Sequence, residues 1–128
     1  MTAIWFRAGA ALAFLSVAGG AFGAHGLREL VSTEALGWWE TGARYALSHA
    51  IALLAVAWLA DRAPGRAVHV AGGAFSVGVV IFTGSLWVMT LTGIRWLGAI
   101  TPLGGSAMLV GWVALMVAAG GLSRAPQA

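Results

Sequence analysis

The stretch Gly20-Ala21-Phe22-Gly23-Ala24-His25-Gly26-Leu27 decides what kind of fold this chain can have. It closes an apolar run that begins near Ile4, and it gathers small residues and a histidine where that run stops. About 20 apolar residues at 1.5 Å per residue cover a hydrocarbon core of about 30 Å, so the run can cross a bilayer as a helix. Arg7 follows Ile4, Trp5 and Phe6 instead of preceding them. No charged leader region precedes the apolar run, so it is read as a retained span and not as a cleaved signal peptide.

Three further runs of this kind follow, and composition says why they belong in a membrane. Apolar residues make up 60% of the chain and charged ones 9%, against about 25% charged in an ordinary soluble domain. A soluble protein of 128 residues could not cover its surface with so few polar groups. In hydrocarbon an apolar outer face is a solvated one. The expected fold is all-α: an antiparallel bundle of four transmembrane helices with short loops, spanning about 4–25, 43–60, 67–91 and 97–121, with a polar tail over 122–128. Asp61-Arg62-Ala63-Pro64-Gly65-Arg66 is the tight turn between the second and third spans.

Cysteine is absent, which excludes disulfides and thiolate metal sites. The basic residues are all arginines spread singly along the chain. With no basic stripe, no nucleic-acid partner is expected. Arg7, Arg62, Arg66 and Arg124 fall on one side of the membrane; Arg28, Arg44 and Arg95 fall on the other, with Glu29, Glu34 and Glu40. The positive-inside rule then places both termini in the cytoplasm.

Glycines on three of the spans are candidates for close helix packing: Gly19, Gly20 and Gly23, then Gly72, Gly73 and Gly78, then Gly104 and Gly105 with Gly111. They serve either the chain's own helices or the face of a homo-oligomer. Trp5, Trp38, Trp39, Trp58, Trp87 and Trp96 fall near span ends and read as interfacial belt anchors.

Polar groups at membrane depth are expensive, so each is a candidate site. His25, Glu40, Arg44, Tyr45, His49, Ser85, Arg95 and Thr101 all fall in the outer half of these spans. Glu40 and Arg44 have the spacing and order of a helical ion pair. Tyr45 and His49 share a face; His49 is expected to bond a neighbouring carbonyl or Ser85, or to act as a general base or proton carrier. His25 is placed to cap the end of the first helix. His69 is interfacial on the opposite side. Thr101-Pro102 reads either as an N-cap and first-turn proline that start the fourth helix, or as a kink in a helix begun near Arg95. In the first case the helix N-terminus would face Arg44 and Arg95, an arrangement that suits anions. His25, Glu40 and His49 could close on zinc or iron only if the fold assembled them, and neither a metal nor another cofactor is expected.

Three motifs resemble one family. They are Gly20-Ala-Phe-Gly-Ala-His-Gly-Leu27, Trp39-Glu-Thr-Gly-Ala-Arg-Tyr-Ala-Leu-Ser-His-Ala50, and Ile81-Phe-Thr-Gly-Ser-Leu-Trp87 running into Leu91-Thr-Gly-Ile-Arg-Trp-Leu-Gly-Ala-Ile-Thr-Pro-Leu-Gly-Gly105. In order and spacing they are similar to the DUF423 (YgdD-like) family of small bacterial membrane proteins. Trp39 and Ser48 stand where many relatives carry phenylalanine and tyrosine. The resemblance implies a multi-span membrane protein and assigns no catalytic or binding residue. The leading expectation is a non-enzymatic protein that aids assembly or binds a partner: the lipid bilayer itself, an anionic lipid headgroup, another membrane protein or a second copy. The alternatives are a small oligomeric transporter with a relay of His49, Glu40 and His25, and an interfacial enzyme on an anionic lipid-like substrate.

Overall fold

A computed structural model describes residues 2–124 and Pro126, and these are helical apart from the short turns between elements and Pro126. Four long helices carry the fold: α1 (Thr2–Ala24), α2 (Thr33–Arg62), α3 (Arg66–Thr92) and α4 (Thr101–Ala119). All four segments are long and apolar enough to cross a membrane. Single 3-10 turns at Leu27–Glu29 and Arg95–Ala99 close one end of the bundle, here called the cap end. Met1, Ala125, Gln127 and Ala128 of the expected termini lie outside the described residues.

Local chemistry sets the boundaries. Ser32 caps α2 by accepting from the Ala35 N–H at 3.1 Å, which satisfies one orphan donor of the first turn. The helix therefore begins well before residue 43, the start expected from hydropathy; Glu34, Glu40 and Arg44 had masked its first turns. Pro64 stops it, because the residue before a proline avoids the helical region. Gly93 ends α3 in the left-handed conformation, φ 73°, with its N–H on the Met89 carbonyl.

At the start of α4 the first-turn proline is as expected, whereas the Thr101 cap and the alternative of a kink need correction. Thr101 is the first helical residue and caps nothing; its hydroxyl donates back to the Leu97 carbonyl at 3.3 Å. Pro102 sits in the first turn of a helix that starts here, so there is no kink. Arg95–Ala99 forms a separate 3-10 turn and not the first turn of α4.

Consecutive helices pack side by side, with α2 and α3 at the centre. The core of the far half holds Leu53, Val56, Leu59, Val68, Ala71 and Phe75. Glycine lets the backbones touch where α3 meets α4: a Cβ on Gly104 would lie 2.5 Å from the Phe82 nitrogen and 2.6 Å from the Gly78 carbonyl. Gly9 does the same for α1 on α2, where a Cβ would lie 2.9 Å from the Ala50 carbonyl oxygen, and five further glycines receive aromatic rings. Trp87 lies on Gly19 and Gly42, Trp39 on Gly23, Trp5 on Gly72 and Phe75 on Gly111. Trp5, Trp39 and Trp87 are thus interhelical wedges and not belt anchors, whereas Trp58 and Trp96 are exposed. Gly20 and Gly73 meet nothing within 4 Å, and Gly105 meets only the Phe82 ring at 3.9 Å. Among the described residues Gly20 and Gly73 therefore allow no close helix approach, and Gly105 makes only an ordinary contact with α3.

Candidate functional site

The eight polar residues singled out in the sequence do not form one cluster. They separate into a buried seam, an aromatic strut, a clasp at the cap end and an outward face.

The seam joins α3 to α2 and α2 to α1. Trp87 and Thr83 of α3 donate to the carbonyls of Trp39 (3.1 Å) and Gly42 (2.8 Å) on α2. Thr90 shares its one hydroxyl proton between the Leu86 carbonyl of its own helix (2.8 Å) and the Ala35 carbonyl of α2 (3.1 Å). Trp39 in turn donates to the Gly19 carbonyl of α1 at 2.8 Å. Its indole stacks on that of Trp87, centroids 4.3 Å apart. Residues 35, 39 and 42 recur at helical spacing on one face of α2, and 83, 87 and 90 do so on α3, so each turn supplies one donor. In lipid such bonds hold helices together, because water offers no competing partner. Ser85 and Thr101 extend the seam to α4 through a 2.6 Å hydroxyl contact, and Ser85 also bonds the Phe82 carbonyl.

The strut is His49. Its Nδ1 lies 2.7 Å from the Tyr45 carbonyl, and its Nε2 accepts from the Trp112 indole of α4 at 3.1 Å. An imidazole that donates from Nδ1 and accepts at Nε2 is neutral. His49 therefore bonds Tyr45 and Trp112 and not Ser85, in contact with the rings of Phe75 and Trp112. It is 5% exposed and lies about 24 Å along α2 from Thr33 at 1.5 Å per residue, deeper than the outer half. Trp112, its partner, had no polar neighbour in sequence to betray it. On the far side His69 accepts from the Trp5 indole at 3.1 Å.

At the cap end Arg95 makes a two-pronged pair with Glu34, at 3.1 and 3.2 Å, and lies 5.3 Å over the Trp38 ring. This pair ties the α3–α4 connection to the first turn of α2. It also engages Arg95, which is thereby lost to the anion site expected at the start of α4. His25 is exposed at the end of α1, where only its backbone N–H bonds, to the Ala21 carbonyl.

The outward face carries Glu40 and Arg44. Both are exposed, and they make no ion pair: the salt bridges among the described residues are Arg95–Glu34 and a long Arg62–Asp61 contact. The spacing that predicts a Glu40–Arg44 pair only places them on one face. Their depth is unexpected. Trp39 reaches Gly19 of α1 and Ala50 abuts Gly9, so Arg44 is at the height of residues 14 and 15, the middle of α1. An arginine at mid-span costs about 2.5–3.5 kcal/mol on insertion scales, and among the described residues no carboxylate pairs with it.

Among the described residues no three His, Asp or Glu side chains converge as a metal site, so His25, Glu40 and His49 stay apart. A groove of about 220 Å³ between α1 and α3 is lined by Leu12, Leu15, Ser16, Val79, Thr83 and Trp87. Its two hydroxyls are spent on backbone carbonyls, so it offers shape and no reactive group.

A family model described as "Protein of unknown function (DUF423)" matches residues 19–105, the segment that holds the whole seam. The chain belongs to the DUF423 family. Its relatives in that family include the UPF0382 membrane protein YwdK of Bacillus subtilis (strain 168), 46% identical over 112 residues, covering 87% of this chain and 91% of the relative. They also include the UPF0382 inner membrane protein YgdD of Escherichia coli (strain K12), 35% identical over 111 residues, 87% of this chain and 85% of the relative. No solved structure matches the chain. Like these DUF423 relatives it is a membrane protein, and four of its helices are long and apolar enough to cross the bilayer.

Proposed function

We propose that this protein is a non-catalytic component of the bacterial inner membrane that works by binding another membrane constituent through the outward face of α2. The carrying observation is the position of Glu40 and Arg44: both are charged, exposed and unpaired among the described residues, and Arg44 is level with the middle of α1. Charges at such depth ordinarily face the bundle interior or a partner. Within the chain the described polar atoms are already satisfied, with no buried side-chain nitrogen or oxygen lacking a bond. The binding capacity left over is therefore on this face. The excess of arginine near the start of α1, the α2–α3 turn and the end of α4 supports termini on the cytoplasmic side.

A proton relay has less support. Both His49 nitrogens are engaged, and Glu40 lies on the opposite side of α2, away from the buried residues. Hydrolytic chemistry on His49 lacks a nucleophile, since Ser85 bonds Thr101 and the Phe82 carbonyl.

Native mass spectrometry of gently extracted protein tests the reading. The wild type should carry a discrete extra mass (a lipid, a partner or a second chain), and Arg44→Ala should lose it with an unchanged melting temperature. Unchanged stoichiometry in Arg44→Ala would contradict the proposal.

A further inference from the structure

We infer that the constituent bound at this face is a second copy of the same chain, set side by side, with Arg44 of each copy against Glu40 of the other. The inference rests on the binding reading above and deepens it.

Geometry comes first. α1, α3 and α4 all contact the side of α2 that carries Trp39, Gly42, Ala46 and His49. On the opposite side Arg44, Ser48, Ile51 and Ala55 are exposed, and Gly37 and Thr41 are half-buried. There Gly37, Thr41, Arg44, Ser48, Ile51 and Ala55 follow one another at alternating spacings of four and three, the seam pattern of paired helices. A Cβ on Gly37 would meet nothing within 4 Å. Gly37, Ser48 and Ala55 are small enough for a second backbone to approach closely. The hydroxyls of Thr41 and Ser48 turn onto the carbonyls of Gly37 (2.9 Å) and Arg44 (3.0 Å) of their own helix, so they require no partner of their own.

Charge then selects the occupant. An anionic lipid headgroup would match Arg44 but would place its phosphate beside Glu40, a repelled and still unpaired carboxylate. A second copy satisfies both charges. Copies inserted with the same topology meet in parallel, and a two-fold axis along the membrane normal brings each face onto itself. Side chains on a helix lean toward its N-terminus, so Arg44 of one copy leans toward the level of Glu40 on the other. Two reciprocal pairs result, each removing two charges from hydrocarbon.

The test is charge complementation in the intact chain. Two differently tagged forms are co-expressed, extracted gently and isolated through one tag. Wild-type chains should co-isolate. Glu40→Arg and Arg44→Glu should each lose self-association by about tenfold or more, the scale on which like charges oppose pairing. The Glu40→Arg chain mixed with the Arg44→Glu chain should recover it. A second readout does not depend on those variants folding. The chain has no cysteine, so Ser48→Cys alone, in native membranes treated with a membrane-permeant two-electron oxidant, should yield a disulfide-linked dimer, whereas Leu109→Cys on the outside of α4 should not. Failure of the mixed charge variants to recover, or linkage at 109 and not at 48, would overturn the inference. An extra mass lost in Arg44→Ala that proves to be a lipid or a different protein would also overturn it while leaving the binding face standing. Absence of any bound mass would remove both.

Discussion

His49 shows how a titratable residue can be purely structural in a membrane. Its ring donates to the Tyr45 carbonyl and accepts from Trp112, so one neutral tautomer joins α2 to α4. His49→Phe keeps the ring volume but strands the Trp112 N–H; it should cost about 1–3 kcal/mol, read as a lower melting temperature in detergent. Trp112→Phe removes the donor as well as the demand and should cost less, nearer the roughly 0.6 kcal/mol average for interhelical bonds in lipid. Combining the two should give less than the sum of the single losses; strict additivity would show that the bond carries no energy. At this scale the sequence was partly legible. It picked out His49 and the shared face of Glu40 and Arg44. It could not name Trp112 or Glu34 as partners, because those contacts cross 63 and 61 residues and leave no local spacing to detect.

Between elements, packing in this bundle is a matter of which glycines face inward. Gly104 abuts the backbone of α3, and an added methyl there cannot be relieved by a side-chain rotation. Gly104→Ala should therefore prevent stable packing of α3 on α4 and cut the yield of folded protein in membranes. Gly73→Ala, with open space around it, should be neutral or slightly stabilising because alanine favours helix by about 1 kcal/mol over glycine. Equal effects of the two would contradict the packing described here. Glycine content announced close approach, yet Gly20, Gly73 and Gly105 looked as suitable as Gly19, Gly72 and Gly104. The choice among them depends on helix rotation, and a helix apolar on nearly every side, such as α1 or α4, gives no hydrophobic face from which to read it. The seam was more readable in principle: donors at 83, 87 and 90 opposite 35, 39 and 42 repeat with helical spacing. Trp39 and Trp87 were assigned to the interface only because they sat near expected span ends, and the earlier start of α2 removes that reason.

For the whole molecule, the four spans follow from hydropathy and length alone, which is why the fold was legible almost throughout. What hydropathy cannot show is whether an outward polar face is bare or covered, since that depends on molecules outside the chain. Arg95→Ala should barely change stability, because the Glu34 pair is exposed and such pairs contribute about 0–1 kcal/mol; a loss of several kcal/mol in a melting experiment would show that the clasp holds the bundle. The central claim is that the α2 face is covered in the membrane. Spin labels at Ser48→Cys and Leu109→Cys test it directly. Gly42 meets Thr83, and Gly78 meets Met108, so the two positions lie at similar depth on opposite sides, and Leu109 is 68% exposed. In native membranes the account predicts a label at 48 that is immobile and shielded from oxygen dissolved in the lipid, with the label at 109 freely accessible. Equal access at both positions would mean that the charged face of α2 meets only lipid, and the account would be wrong.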